Sequence, residues 1–301
     1  MVSWLSVLKY DPVGPLLESE DEAVAYFTRR YLLGEDVPPL ECVWGLPEAR
    51  AVLRRQQPDG SWKPAGRKAC PGVKYPLVEA YRHLRILVDQ YGLDRRHPAI
   101  EKAAGYVFSC QTGEGDFRGI LANQYAPYYT GAIMGLLITA GYADDPRIGK
   151  GFRWLLEVRQ DDGGWVIGSP GVIGLGHLTA KEINDLTSNP DRETARAFDR
   201  SKPFSAAGTG MVLRAFAAHP EYRRSDAARK AAGLLKSKLL REDNWSSYRR
   251  PDHWVRFQYP FWWTNLASAL DTLSLIGIPK EDADVGRALG WLAEHQRADG
   301  L

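Results

Sequence analysis

Five short segments of this chain look alike, and their recurrence constrains the fold more than any other feature. They are Gln56-Gln-Pro-Asp-Gly-Ser-Trp62, Gln111-Thr-Gly-Glu-Gly-Asp-Phe117, Gln160-Asp-Asp-Gly-Gly-Trp165, Arg241-Glu-Asp-Asn-Trp245 and Gln296-Arg-Ala-Asp-Gly-Leu301. Their acidic markers Asp59, Glu114, Asp162, Asp243 and Asp299 follow one another at intervals of 55, 48, 81 and 56 residues. Self-similarity at such a period marks a repeat architecture, in which each unit buries its apolar face only against its neighbours. Three intervals suit a two-helix unit, and the longest suits a unit carrying an insertion. The Asp-Gly pair explains why each segment turns the chain. Aspartate bonds nearby backbone, and glycine is free to take a positive φ.

Two kinds of helix alternate around these turns. The helix before the third turn is amphipathic, with Ile148, Phe152 and Leu155 on one stripe and Arg147, Lys150, Arg153 and Glu157 interspersed. Segments 45–56, 97–111, 225–240 and 280–296 have the same character. The segments after the turns differ: 126–142 and 261–278 carry no Lys or Arg and are apolar or small nearly all round, as in helices buried on most faces. The spatial solution is an outer ring of amphipathic helices around an inner ring of buried ones, enclosing a cavity. The expected fold is therefore all-α, an α/α toroid of two concentric layers built from about five helix-pair repeats. Small residues at Gly131, Ala132, Gly135, Ala206, Ala207, Gly208 and Gly210 allow inner helices to approach closely. A straight α-solenoid is the alternative, although its concave helices normally carry more polar residues.

The reading places an N-terminal extension at 1–19 and a single repeat domain at 20–301, whose first helix, 20–33, pairs with 45–56. A long loop insertion, at about 166–203, follows the third turn. Because the chain stops inside its fifth turn segment, the ring is expected to be incomplete at the C-terminus, with a closing inner helix beyond Leu301.

Charge narrows the function classes. The 39 basic and 37 acidic residues leave a net charge of +2, which offers no basic face for nucleic acid. The three cysteines, Cys42, Cys70 and Cys110, form no Cys-x-x-Cys pair. A disulfide framework is not expected, and a reducing cytoplasm fits better. No apolar run reaches about 18 residues, so no transmembrane segment is expected. The first residues lack the basic and apolar regions of a signal peptide. Peripheral membrane contact and oligomeric state stay open.

The pattern Gln-x-x-Asp-Gly-[Gly/Ser]-Trp after a helix resembles the QW motif of the terpenoid cyclase and protein prenyltransferase superfamily, over about residues 20–301. The resemblance implies that Gln56, Trp62, Gln111, Gln160, Trp165, Trp245 and Gln296 tie outer helices together, each amide packing against a neighbouring motif's ring. Such residues argue for a fold and not for an activity. The superfamily's activity motifs are absent: Asp-x-Asp-Asp, Asp-Cys-Thr-Ala-Glu and the Asp-x-Cys zinc pair do not occur. The chain most resembles a bacterial and archaeal branch to which no reaction is assigned. Neither a metal nor a cofactor is expected.

Candidate ligand contacts cluster where chain enters inner helices. Tyr128, Tyr129, His253, Trp254, Tyr259, Trp262 and Trp263 are expected to form an aromatic cavity mouth that packs isoprenoid chains, with 166–203 across it. Core packing is the competing explanation for each ring. Arg249, Arg250 and Arg256, and Arg67, Lys68 and Lys74, flank two such entries and are candidates to receive a diphosphate at helix N-termini. Solvated loop charge is the competing explanation there. Ionisable groups inside the buried helices are few: Glu79, Arg82, His83 and Arg85, and Asp271 further on. Asp271 and Glu79 are the candidate catalytic acids, against ordinary pairing with a neighbouring cation. Two functional readings follow. One is an isoprenoid-handling enzyme of the toroid type; the other is a non-catalytic toroid that binds a hydrophobic ligand or a partner protein. A carbohydrate-active enzyme would need a carboxylate pair across a cleft, and the sequence offers none that can be placed.

Overall fold

The computed structural model describes residues 4–64, 66, 72–121, 123–167, 199–244 and 250–300. Helices make up its regular structure. Among the described residues the only β pairing is the isolated bridges Gln56–Trp62 and Gln111–Phe117, which close two of the repeated turns.

Amphipathic helices recur as expected: α4 (Pro47–Leu53), α6 (Pro98–Ser109), α8 (Pro146–Glu157), α10 (Asp226–Ser237) and α12 (Ala283–Glu294). In α6 the buried residues are Ile100, Ala103, Ala104, Val107 and Phe108, a single stripe at helical spacing. Between them come the buried helices α5 (Tyr75–Arg85), α7 (Pro127–Leu137) and α9 (Ala206–Ala218), and then α11 (Leu266–Ile276), which, against the expectation for 261–278, buries one side and leaves Asp271, Ser274 and Leu275 exposed. Every residue of α7 is buried. Two short helices, α1 (Val13–Leu17) and α2 (Glu22–Phe27), precede them, and α3 (Glu41–Trp44) leads into α4. Three helices end in widened π segments: α2 continues through Thr28–Leu33, α5 through Ile86–Gln90 and α7 through Ile138–Tyr142.

Glycine sets the contact between α7 and α9. A Cβ on Gly131 would lie 2.5 Å from the Val212 Cα, and one on Gly135 would lie 3.1 Å from the Ala215 backbone nitrogen. The paired numbers rise together, so the two helices run in the same direction. Residues 261–265 are not helical, although the apolar run suggested a helix from 261. Asn265 and Ser268 form a capping box that starts α11 at Leu266.

The first two repeated turns tie one unit to the next, whereas Gln160 Nε2 of the third donates to the carbonyls of Asp199 (2.9 Å) and Lys202 (3.0 Å), short of the next amphipathic helix. Gln56 Nε2 donates to the carbonyl of Gly60 in its own turn (3.2 Å) and of Ala99 at the start of α6 (2.8 Å). Gln111 Nε2 does the same to Gly115 (2.9 Å) and to Arg147 at the start of α8 (2.8 Å). The link therefore runs from amide to carbonyl. Each turn glycine also backs onto a neighbouring helix. Gly60 has φ +89°, and a Cβ there would sit 2.2 Å from the Lys102 carbonyl oxygen. The turn rings close the preceding helix: the indole N–H of Trp62 donates to Val52 O (3.0 Å) and that of Trp165 to Leu155 O (2.8 Å). Both carbonyls lie in a last helical turn, where acceptors outnumber the backbone donors, and Val52 O accepts from the Arg55 backbone N–H (3.2 Å) as well as from the indole.

Trp245 lies outside the described residues. Trp254 is fully buried, and its indole N–H donates to Arg241 O (2.8 Å) as those of Trp62 and Trp165 do to their helices. The N-terminal residues meet the fifth turn. Gln296 Nε2 donates to Tyr10 O (2.8 Å), and its Oε1 accepts from the Lys9 and Tyr10 backbone N–H groups, both at 2.9 Å. Gly300, with φ +85°, backs onto Asp11 as Gly60 backs onto α6. The fifth turn thus docks on residues 9–12.

Glycine substitutions test this packing. Gly131→Ala should destabilise by about 1–3 kcal/mol, because its methyl meets backbone that cannot rotate away. Gly105→Ala, on the open face of α6 with nothing within 4 Å, should be neutral or stabilise by up to about 1 kcal/mol. Trp165→Ala should cost about 3–5 kcal/mol. Chemical denaturation of the three variants measures the ordering.

Candidate ligand-binding cavity

The buried helices leave a cavity with two adjoining lobes. The larger, of about 710 Å³, lies among α1, α2 and the π segment after α5, with Leu16, Val24, Phe27, Leu40 and Leu93 on its walls. The smaller, of about 470 Å³, lies among α5, α7, α9 and α11. Val88, Asp89, Thr139 and Tyr259 line both lobes. All three π segments contribute wall residues. A π turn displaces the following side chains from the regular helical stripe, and such turns recur at functional sites.

Four charged residues face the smaller lobe: Arg85, Asp89, Arg214 and Asp271. Arg85 is only 5% exposed, and its Nε and Nη1 have no hydrogen-bond partner. Its guanidinium lies 4.5 Å from the centre of the Trp262 ring and 5.4 Å from that of Tyr81, an arrangement that steadies a cation away from water. Arg214 acts as a clamp. Its Nη1 donates to the carbonyls of Phe261 (3.1 Å) and Trp262 (3.3 Å), and its Nη2 to that of Trp263 (2.8 Å). Its Nε is buried without a partner. Burial lowers the pKa of both arginines, yet a guanidinium keeps its charge in proteins.

Asp89 is the most perturbed carboxyl of the four. Burial pushes its pKa up to about 6, against the opposing pull of Arg214 and Arg85, and Asp271 adds to the rise. Asp271 sits at the exposed rim of the lobe. Partial enclosure raises its pKa as well, and Arg214 opposes the shift. A carboxyl that titrates near neutrality, beside an apolar space, is able to give or take a proton or to adjust the affinity for a charged ligand.

The aromatic residues expected at the cavity mouth come together, but largely with one another. Trp262 donates its indole N–H to the Tyr129 hydroxyl (3.2 Å), and its ring meets Tyr81 edge-on at 5.1 Å. Trp263 packs on Tyr128 at 6.3 Å and Tyr129 at 5.9 Å. Tyr128 and Tyr129 are buried. These rings fill the end where the buried helices begin, so the space left is walled largely by the later parts of those helices. Tyr259 does line the cavity, and its hydroxyl donates to the Asp89 backbone carbonyl. His253 and Trp254 do not line it. His253 Nδ1 sits 2.7 Å from Arg250 O, and the Trp254 indole N–H donates to Arg241 O.

Of the candidate acids, Asp271 lines the smaller lobe and Glu79 lines neither. Glu79 is buried within its own helix, 3.4 Å from Arg82 and 4.0 Å from His83 Nδ1. Arg256 is paired with Asp252, and the Lys74 side chain lies against Gly119. Arg67, Lys68, Arg249 and most of the 166–203 loop fall outside the described residues. Asp89 and Arg214 were not singled out from the sequence. Arg214 had a signal: it is the lone charged residue of 206–218.

The Asp89 shift has a stability consequence with a definite sign. Its folded pKa exceeds the unfolded value, so the stability it contributes is present below about pH 4 and is lost as pH rises through about 6. Asp89→Asn should therefore gain stability relative to wild type as pH goes from 4 to 7, by about 1–3 kcal/mol. Thermal melts of both proteins across that range check it.

Among the described residues no group of three or more His, Cys, Asp or Glu side chains is placed to hold a metal ion, and no helix is long and apolar enough to cross a membrane. Compared with known proteins, the chain matches no family model and no curated protein.

Proposed function

We propose that the chain is an α/α toroid of the kind its turn motif resembles, and that it takes an isoprenoid or similarly apolar molecule into its central cavity. Supporting the toroid are the alternation of amphipathic and buried helices and the common direction of α7 and α9. The ties made by Gln56, Gln111 and Gln296 add to it, the last of them joining Gln296 to Lys9 and Tyr10. The observation that carries the ligand is the larger lobe. Its volume of about 710 Å³ and its walls of Leu16, Val24, Phe27, Leu40 and Leu93 suit an elongated hydrocarbon. Burying such a chain gains about 25 cal/mol per Å² of apolar surface.

Binding is the first reading, because the acid and zinc motifs of the superfamily's enzymes are missing from the sequence. A catalytic reading draws on one observation, the raised pKa of Asp89 where the lobes meet. The cysteine usage supports a reducing cytoplasm as the setting.

Titration with farnesol and squalene, followed by tryptophan fluorescence, tests the binding reading. At least one should perturb the spectrum saturably. Thr139→Trp should weaken that binding at least tenfold, since Thr139 lines both lobes and is exposed to their space. Failure of every isoprenoid to bind the wild-type protein would contradict the proposal.

A further inference from the structure

The smaller lobe carries more charge than an apolar ligand alone would need. We infer that the cavity's ligand is an amphiphile with a single negative charge, a long-chain carboxylate, whose chain fills the larger lobe and whose head group pairs with Arg85. This rests on the cavity reading above and names the ligand's chemistry.

Three observations carry it. First, the lobes share Val88, Asp89, Thr139 and Tyr259 as walls, so one molecule of modest length reaches from the apolar lobe to the charged one. Second, Arg85 is a cavity-lining guanidinium, 5% exposed, whose Nε and Nη1 lack hydrogen-bond partners. Burying a guanidinium with two nitrogens unsatisfied is costly, and the structure offsets this in part through the Trp262 and Tyr81 rings, a hydrogen bond with Tyr81 and the charge of Asp89. An anion arriving in the lobe would complete the pairing in a low-dielectric setting where charge-assisted hydrogen bonds are strong. Third, the surroundings limit how much negative charge is welcome. Arg214 also faces the lobe, but both its Nη groups are committed to the carbonyls of Phe261, Trp262 and Trp263. Asp89 and Asp271 line the same space. Among the described residues lining the lobe, a single carboxylate matches the available Arg85 guanidinium, whereas a diphosphate would bring two or three charges against two aspartates.

The test compares three probes with the same fifteen-carbon chain on the intact protein at pH 7 by isothermal titration calorimetry: farnesoic acid, farnesol and farnesyl diphosphate. Farnesoic acid should bind at least tenfold more tightly than either of the others. Arg85→Gln should erase the preference for the acid over the alcohol while leaving alcohol binding within about threefold, and Arg85→Lys should keep part of it. If Arg85→Gln does not fold, as judged by circular dichroism, the wild-type probe comparison decides alone. Equal binding of acid and alcohol overturns the inference and leaves the cavity reading standing. Tighter binding of the diphosphate overturns it in favour of a polyanionic head group. No binding of any probe removes the cavity reading and this inference together.

Discussion

One interaction recurs through this protein: in three of its turns a glutamine amide at the end of one unit donates to a carbonyl near the start of another. Gln56 reaches Ala99, Gln111 reaches Arg147 and Gln296 reaches Tyr10. Each tie uses an acceptor already near a helix start, where the carbonyl retains a second lone pair. Each of these turns also needs glycine. Gly60, Gly115 and Gly300 all have positive φ, and a Cβ on any of them would strike backbone less than 3 Å away. The close approach that glycine permits is what brings the amide within reach. The same device at Gln296 joins segments that are far apart in sequence, fastening Lys9 and Tyr10 to the fifth turn.

The buried helices follow from these ties. Among them α7 and α9 run in the same direction, and Gly131 and Gly135 let these two nearly touch. Elsewhere the separation is wider, and the space between helices becomes the cavity. Arg214 bridges that space by holding Phe261, Trp262 and Trp263 through their carbonyls. The Trp262 and Trp263 rings, packed against Tyr81, Tyr128 and Tyr129, fill the end where the buried helices start. The residues left facing open space are therefore those further along, including Arg85, Asp89 and Asp271.

Much of the fold was legible in the sequence, because periodicity reports burial directly. The turn segments, the amphipathic stripe of α6 and the all-round apolar character of α7 appear as the pattern implied. The ends of elements were less legible. The run from Phe261 reads as helix by composition, yet the Asn265–Ser268 capping box starts the helix only at Leu266. Trp254, expected at the cavity mouth, closes instead on Arg241 O, a contact that no periodicity announces. The cavity was half legible. Tyr259 and Asp271 line it, but Asp89 was missed because it faces the lobe from a π segment, whose register no periodicity announces. Arg85 was visible as a charge in a buried helix, although its unpartnered state depends on the rings packed around it.

The role of the repeated tie is tested most directly where it joins the two ends of the described chain. Hydrogen–deuterium exchange on wild type and Gln296→Ala reads it at named amides. Lys9 and Tyr10 donate to the Gln296 side chain, so their exchange should accelerate markedly in the variant, and that of the α2 segment at the wall of the larger lobe should follow. Unchanged exchange at Lys9, Tyr10 and α2 would contradict the account, because the ends would then be held by something other than the tie that recurs along the chain.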